Sequence, residues 1–434
     1  MSDIDEMEGG LGDAPSTGSL VRWLAWSTLL GALGAIAGLI FLGVIGFGGN
    51  WYGSTGLGWF EGNLWWIAVA TMAGVLVGLL RRAFRMPAKV PGLIEDLREE
   101  HVEPRLVPSI VAVSAVSLLG GASLGPEVAL GQMGGGAGEV IGRRARLDPD
   151  EAKPLTLGGM AGAFGGLFSS PLMAIVLVME VARVPRRRFQ RTFYTNLVSS
   201  STAFGLYFAI AGTVFLGIYD VPSYEYEDWH LLAGLGFGVL AALITIVTVS
   251  TGSMVAKLFE RVPGPDLVKP AVGGLIFGVI GFALPLTNFT GSEQLATVLE
   301  NAASLGSGLL LAILAGKILA FAASSASGFI GGPIFPIIFL GGTSGVLIHE
   351  IIPDIPLGLA FTCMLAAVPG ATVAAPLSMV LLAALMTQIG AIQTAPILIA
   401  VGTAYITIVA VKSSRRSKSG EHAGSAGQGS AGDR

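Results

Sequence analysis

Long apolar runs alternate with short polar connections over most of this chain. The first clear run is Trp23–Gly46, and further apolar stretches follow as far as residue 411. An apolar run of about 18 or more residues with few charges is typical of a membrane-spanning helix. Several later runs are interrupted by glycine and proline, which end or kink helices. The pattern predicts an all-α integral membrane protein of tilted and broken helices.

The two ends of the chain differ from this apolar body. Residues 1–19 are acidic and polar, and residues 412–434 are rich in serine, glycine and charge. Segments poor in apolar residues cannot build a packed core. Both ends are therefore expected to be disordered tails that flank one transmembrane domain over residues 20–411.

Lysine and arginine cluster in some connections and are missing from others. The clusters lie at 81–89, 98–105, 143–153, 183–191, 257–269 and 412–418, whereas 48–63, 217–230 and 285–307 contain no basic residue. By the positive-inside rule the basic connections face the cytoplasm. We expect a multi-pass protein of the cell membrane with both termini cytoplasmic.

This topology leaves two stretches that are too short for two full crossings. Residues 107–142 start and end on the predicted cytoplasmic side, yet they number only 36, and two spans need roughly 40 residues plus a turn. Residues 154–182 are shorter still. The motifs LGGASLGPE and AGAFGGLFSSP interrupt these stretches. We therefore expect re-entrant helices whose ends meet inside the membrane, where they must be buried in protein or line a wet cavity.

A matching break occurs in the second part of the chain. The apolar run 308–330 ends in SASGFIGGPIFP, and a new helix is predicted near Pro333. Halves of about 20–190 and 191–411 thus each contain a Gly-Pro break that opens a helix. This correspondence suggests an internal duplication, which an inverted arrangement would fit.

Both breaks have the chemistry of an anion site. A helix N-terminus presents unpaired backbone N–H groups and a partial positive charge, so two such ends at one cavity can bind an anion. The candidate amides belong to Ser123, Leu124, Gly125, Ile334 and Phe335. Cation transport is the alternative, because unwound carbonyls and helix C-termini bind Na⁺ or K⁺. Both motifs precede their helices, which favours an anion.

These motifs resemble the CLC family of chloride channels and chloride/proton antiporters. GASLGPEVALGQ is similar to the family's G(K/R)EGPxxQ, GMAGAFGGLFSSPLMAIVLVME to its GAxAGxxAAFxAPLxGxxFxxEE, and GGPIFP to GGxFxP. AKVPGLIEDL is a weaker counterpart of GSGIPE, which puts Ala88 at the selectivity-motif serine. The resemblance implies an inverted repeat of broken helices, a homodimer with one pore per subunit, and chloride or another small anion as the transported partner.

The departures from the family motifs bear on mechanism. Leu124 stands where the family's gating glutamate is, and Glu180 is followed by Val181 in place of the proton glutamate. Glu127 is nearby and is our candidate gate, although a fixed helix-capping carboxylate is the alternative. Glu180 is the second candidate for a gating or proton-binding residue, although a structural hydrogen-bonding role is favoured for it. We expect passive, channel-like conduction, with chloride/proton antiport through Glu127 as the alternative.

Other functional classes fit poorly. Charged residues make up 12% of the chain and the net charge is −4, so no basic patch is available for nucleic acid. GTSG at 342–345 resembles a rhomboid-type serine motif, but His349 lies about 140° round a helix from Ser344. HEIIP at His349 lacks the second histidine of a zinc site. Lys317, the only basic residue between the clusters, is expected to snorkel or to pair with a carboxylate, with a direct contact to the anion as the less favoured alternative. We expect no enzyme activity, cofactor or bound metal.

Overall fold

The computed structural model describes residues 17–54, 63–212, 215–263 and 267–428. Over these ranges the chain is helical and contains no β-strand, which confirms the all-α prediction. The helices are α1 Thr17–Ser54, α2 Trp65–Ala83, α3 Leu93–Glu99, α4 Val107–Leu119, α5 Glu127–Arg144, α6 Pro149–Leu167, α7 Pro171–Ala182, α8 Arg186–Ala211, α9 Trp229–Glu260, α10 Val268–Ala283, α11 Ser292–Glu300, α12 Ala302–Ser327, α13 Ile334–Ile351, α14 Leu357–Val373, α15 Pro376–Thr387 and α16 Thr394–Gln428.

Six stretches of the described chain are long and apolar enough to cross a membrane. They are Val21–Gly46, Trp65–Ala83, Trp229–Glu260, Ala302–Ser327, Ile334–Ile351 and Thr394–Ser414. Helices α4, α7, α10, α14 and α15 are apolar but shorter. The chain is therefore a multi-pass membrane protein, and the side on which its termini lie remains a prediction from the basic residues.

The predicted breaks are confirmed. α4 ends at Leu119 and α5 begins at Glu127, and the intervening residues 120–126 are here called the first loop. α12 ends at Ser327 and α13 begins at Ile334, and residues 328–333 are the second loop. Proline occupies the N-cap of both α5 and α13, where its missing N–H breaks no helical hydrogen bond.

The order of helices after each loop is similar. α5 and α13 have 18 residues each, α6 and α14 have 19 and 17, and α7 and α15 have 12 each. α7 and α15 both begin with Pro-Leu and pack against each other. This similarity supports an internal duplication. The predicted division at residue 190 falls inside α8, so a division between whole helices lies before Arg186 or after Ala211.

The structure differs from the predicted disordered tails at the residues next to the transmembrane domain. α16 continues to Gln428, so residues 412–428 are helical where the sequence predicted disorder. Extending an existing helix needs no new nucleation, and this stretch contains Ala, Glu, Lys and Arg, which favour helix. Residues 17–19 likewise belong to α1. Residues 1–16 and 429–434 of the predicted tails lie outside the described residues.

Close backbone contact between α5 and α6 places the first loop. A Cβ on Gly134 would lie 2.1 Å from the carbonyl oxygen of Gly159, and one on Gly159 would lie 2.0 Å from that of Gly134. Only residues without a side chain allow helices to approach so closely, as is common in membrane bundles. Glycine at these positions therefore fixes α5 against α6 and sets where its N-terminus lies.

Candidate anion site

The two loops meet at a single point. The Gly125 N–H donates a hydrogen bond to the Gly332 carbonyl at 2.7 Å, and the Gly332 N–H donates to the Gly125 carbonyl at 2.6 Å. This isolated antiparallel bridge lies immediately before α5 and α13. The N-terminal ends of these helices are thereby brought to one site.

The Glu127 side chain occupies this site. Glu127 is fully buried, and its Oε1 accepts a hydrogen bond from the Phe335 N–H at 3.1 Å. Its Oε2 is buried without a hydrogen-bond partner among the described residues. A carboxylate thus lies where the first amides of α13 could hold a free anion.

Two glycines leave the space for this carboxylate. A Cβ on Gly125 would lie 2.1 Å from Glu127 Oε2, and a Cβ on Gly332 would lie 2.0 Å from the same atom. Both distances are far below van der Waals contact. We call the space bounded by Gly125, Gly332, Ile334 and Phe335 the seat.

The predicted amides of the first loop are used differently from those of α13. Each donates to a protein acceptor: Ser123 to Ser324 Oγ at 3.2 Å, Leu124 to the Ala122 carbonyl at 2.8 Å, and Gly125 to Gly332 as above. In this structure the first loop is therefore a scaffold. Of the predicted amides, the one that donates to the Glu127 carboxylate is that of Phe335, and Ile334 precedes it at the start of α13.

Ala88 is linked to the site through Arg81. The Ala88 side chain is exposed, and the Ala88 carbonyl accepts a hydrogen bond from Arg81 Nη2 at 3.1 Å. Arg81 Nη1 also donates to the Gly328 carbonyl, at 3.2 Å, at the start of the second loop. The segment that carries Ala88 is thus tied to this loop by its backbone, and the Ala88 side chain takes no part.

Aromatic rings cover the seat at Phe335. The Phe335 ring centroid lies 4.9 Å from that of Phe215 and 6.0 Å from that of Phe168. Sequence analysis did not identify Phe215, because nothing in an irregular segment after α8 distinguishes it from any other apolar residue. Its position next to Phe335 became evident only from the fold.

Glu180 lies at the contact between α7 and α15. Its Oε1 accepts from the Leu377 N–H at 3.0 Å, and its Oε2 accepts from the Ser378 N–H at 3.0 Å and the Ser378 hydroxyl at 2.6 Å. A carboxylate at a helix N-terminus satisfies donors that otherwise have no partner. This geometry supports a structural role for Glu180.

Lys317 differs from its expected arrangement. Its ammonium is buried and donates to the carbonyls of Thr287, Asn288 and Phe289 at 3.1, 3.4 and 2.9 Å. It therefore neither snorkels nor pairs with a carboxylate among the described residues. The Phe289 N–H in turn donates to the Gly121 carbonyl at 3.2 Å. Lys317 thus holds the turn at residues 287–289, and this turn is itself hydrogen-bonded to the first loop.

A cavity of about 530 Å³ lies beside the seat. Val128 and Pro333 line it at the starts of α5 and α13, and Glu95, Arg98 and Glu99 line it on α3. The cavity therefore extends from the residues next to Glu127 to the charged helix α3, which lies on the predicted cytoplasmic side.

Comparison with known proteins identifies the family. The model of the family described as Voltage gated chloride channel matches residues 73–408, well over half of the chain. The chain belongs to this family. A relative in Escherichia coli strain SMS-3-5, named "Putative ion-transport protein YfeO", is 28% identical over 313 residues, which are 70% of this chain and 72% of the relative. The protein of the same name in Escherichia fergusonii is 29% identical over the same length.

Solved structures show the same fold. A slow cyanobacterial Cl⁻/H⁺ antiporter matches with a TM-score of 0.78 and 22% identity, over 90% of this chain and 95% of the other. A CLC-type fluoride/proton antiporter matches with a TM-score of 0.76 and 20% identity, over 91% and 96%. At these identities the likeness establishes the voltage gated chloride channel fold and leaves the ion and its coupling to be argued from the site.

Proposed function

We propose that this chain carries chloride or a similar small anion across the membrane, with Glu127 as a protonatable gate. The observation that supports the proposal is the position of the Glu127 carboxylate on the Phe335 N–H at the start of α13. An ionised carboxylate is itself an anion, so the place of this group on a helix N-terminal amide supports a site for a transported anion.

Competition between two anions provides the gating step. An ionised Glu127 and a free anion cannot both occupy the seat, because they use the same amides. Hydrogen bonds to a charged acceptor contribute about 1.5–3 kcal/mol, against about 0.5–1.5 kcal/mol for neutral pairs. Protonation of Glu127 therefore weakens the hydrogen bonds between its carboxyl group and the amides of the seat. The anion then takes the amides of Ile334 and Phe335, and deprotonation restores the block.

Passive conduction is the mode we propose, because Leu124 and Val181 replace the two glutamates that the family's antiporter motifs carry. Chloride/proton antiport is the second candidate. It is favoured by the complete burial of Glu127, since each exchange of carboxylate for anion then requires a proton to enter or leave the site. Both modes share the same gate.

Flux from liposomes tests the gate. In wild-type protein, chloride efflux is expected to rise as the pH falls, because protonation frees the seat. Glu127→Gln cannot ionise, so its efflux is expected to be independent of pH. Glu180→Gln is the matched control, as it alters another carboxyl group of the broken apolar stretches, and it should keep the wild-type pH dependence per folded protein.

Ion replacement tests the substrate class and the mode. Passage of K⁺ without any anion would refute anion transport. A proton flux driven uphill by a chloride gradient at a fixed ratio would replace passive conduction with antiport. The family resemblance further leads us to propose a homodimer, and the basic residues an orientation with both termini in the cytoplasm.

A further inference from the structure

One face of α5 carries polar groups from the basic end of the helix towards the seat. Val128, Gln132, Gly135 and Glu139 recur at spacings of four, three and four, which places them on the same side of a helix. Val128 lines the cavity beside the seat. Gln132 and Glu139 follow at one and nearly three turns further along α5, towards the predicted cytoplasmic surface.

Asp96 meets this face at Gln132. Asp96 lies on α3, outside the candidate membrane spans, and is only 4% exposed. Its Oδ2 accepts a hydrogen bond from Gln132 Nε2 at 2.6 Å. Gln132 is also buried, and its Oε1 has no partner among the described residues. Rotation of this amide would offer Asp96 an acceptor in place of a donor. Gln132 can thus form a hydrogen bond with Asp96 whether Asp96 is ionised or protonated.

His101 and Glu139 extend the series to the surface. The His101 Nδ1 lies 2.8 Å from Glu139 Oε1, and the His101 side chain is 48% exposed while that of Glu139 is 12% exposed. Thr156 donates to the same Glu139 oxygen at 3.2 Å. The His101 N–H donates to the Asp96 carbonyl at 3.2 Å, so the two ends of the series are joined through a short turn.

We propose that Asp96 is a second protonation site, which exchanges protons between the α3 side of the membrane and the cavity that Val128 and Pro333 line beside the seat. The inference rests on the proposed gate. A proton would reach Asp96 from water near His101 and Glu139. It would leave Asp96 for water in the cavity and bind the Glu127 carboxylate, and no other bond changes. A cavity of about 530 Å³ has room for several waters of roughly 30 Å³ each.

The titration of Asp96 suits this role. Burial raises its pKa to about 7, and the carboxylates of Glu95 and Glu99 add to the rise, whereas the Gln132 hydrogen bond and His101 oppose it. Below that pH Asp96 holds a proton, and above it the proton is released. The charged and titratable groups around it are Glu95, Arg98 and Glu99 on α3, His101 after it, Glu139 on α5, and the Glu100–Arg188 ion pair that joins the end of α3 to α8.

Flux measured with the pH set separately on each side tests the proposal. Vesicles would be sorted for one orientation by a tag at the C-terminus. A group that titrates near 7 changes its protonated fraction about tenfold between pH 6 and pH 8. Wild-type chloride flux is therefore expected to fall up to about tenfold as the α3 side goes from pH 6 to pH 8. Asp96→Asn should change less than about twofold, with its response to the opposite side intact.

Controls separate this role from a structural one. Asp96→Glu keeps a titratable carboxyl and should restore the response with a shifted midpoint, and Glu103→Gln, which alters a half-exposed carboxylate of the same region, should behave as wild type. If Asp96→Asn keeps the full wild-type response, the proposal is wrong.

An infrared measurement distinguishes failure of the Asp96 proposal from failure of the proposed Glu127 gate. In the Glu127→Gln background, where the gate adds no carboxyl band, the infrared C=O band of protonated Asp96 should disappear between pH 6 and pH 8 and be missing once Asp96→Asn is added. Its absence from Glu127→Gln alone would overturn the proposal whatever the flux shows. If Glu127→Gln retains the wild-type pH response on both sides, the proposed gate fails instead.

Discussion

Gly332→Ala is the substitution that most directly tests whether Glu127 and the transported anion share the seat. The new Cβ would lie 2.0 Å from Glu127 Oε2, and ordinary contact begins near 3.4 Å. The carboxylate must therefore move by about 1.4 Å, the difference of these values, or turn away altogether. Its 3.1 Å bond to the Phe335 N–H would be lost. A hydrogen bond to a charged group is worth about 1.5–3 kcal/mol, so the hold on Glu127 weakens roughly 10- to 150-fold.

The same methyl group would stand in the way of a free anion. We therefore expect Gly332→Ala to lower chloride flux at least about tenfold in the wild-type background and also in Glu127→Ala, where no carboxylate competes. Flux from liposomes measures both effects. Gly236→Ala on α9 is the control, since a Cβ there meets nothing within 4 Å.

The double substitution decides the matter. If Gly332→Ala in the Glu127→Ala background conducts as well as Glu127→Ala alone, the seat holds only the carboxylate and the shared-site reasoning is refuted. Because Gly332 does not have a positive φ, alanine fits its backbone. A loss of flux with unchanged thermal unfolding would then report on the seat and not on folding.

Two further substitutions test the supports of the site. Glu180→Ala leaves the N-terminal amides of α15 without their acceptor and should lower stability by about 0.5–2 kcal/mol, seen as a lower melting temperature in detergent. The pH dependence of flux should stay as in wild type, and its loss would assign Glu180 a part in gating. Lys317→Met removes the ammonium that donates to the carbonyls of Thr287, Asn288 and Phe289. A buried acceptor that loses its donor costs about 1–3 kcal/mol, so Lys317→Met should melt well below Lys317→Arg. Equal melting temperatures would contradict the role of Lys317 in holding this turn.

The sequence was most informative where glycine and proline interrupt apolar runs. Basic clusters at both ends of residues 107–142 left too few residues for two spans, which predicted a break in this stretch. The structure has that break at residues 120–126. Pro126 and Pro333 marked the helix starts to within one residue. These features are local, since backbone geometry and hydrogen-bonding capacity belong to the residue itself.

What the sequence could not supply were contacts between residues far apart in the chain. The amides of Ser123 and Leu124 looked as available as those of Ile334 and Phe335. Only the fold shows that Ser324 Oγ takes the first and the Ala122 carbonyl the second. The three carbonyls around Lys317 depend in the same way on where a distant turn lies.

The paired loops determine which parts of the protein can move during transport. Five hydrogen bonds near the seat join residues 117–125 to residues 289–332: two between Gly125 and Gly332, and one each for Phe289–Gly121, Ser123–Ser324 and Ile330–Ser117. Rocking one half of the chain against the other would break them, at a cost of about 1–3 kcal/mol for each buried group left unpaired. Rotation of one glutamate side chain breaks none of the five. Such a rotation moves a single side chain, whereas domain rocking is a collective motion that takes microseconds to milliseconds. The rate of ion passage should therefore be set by proton arrival and not by movement of the helices.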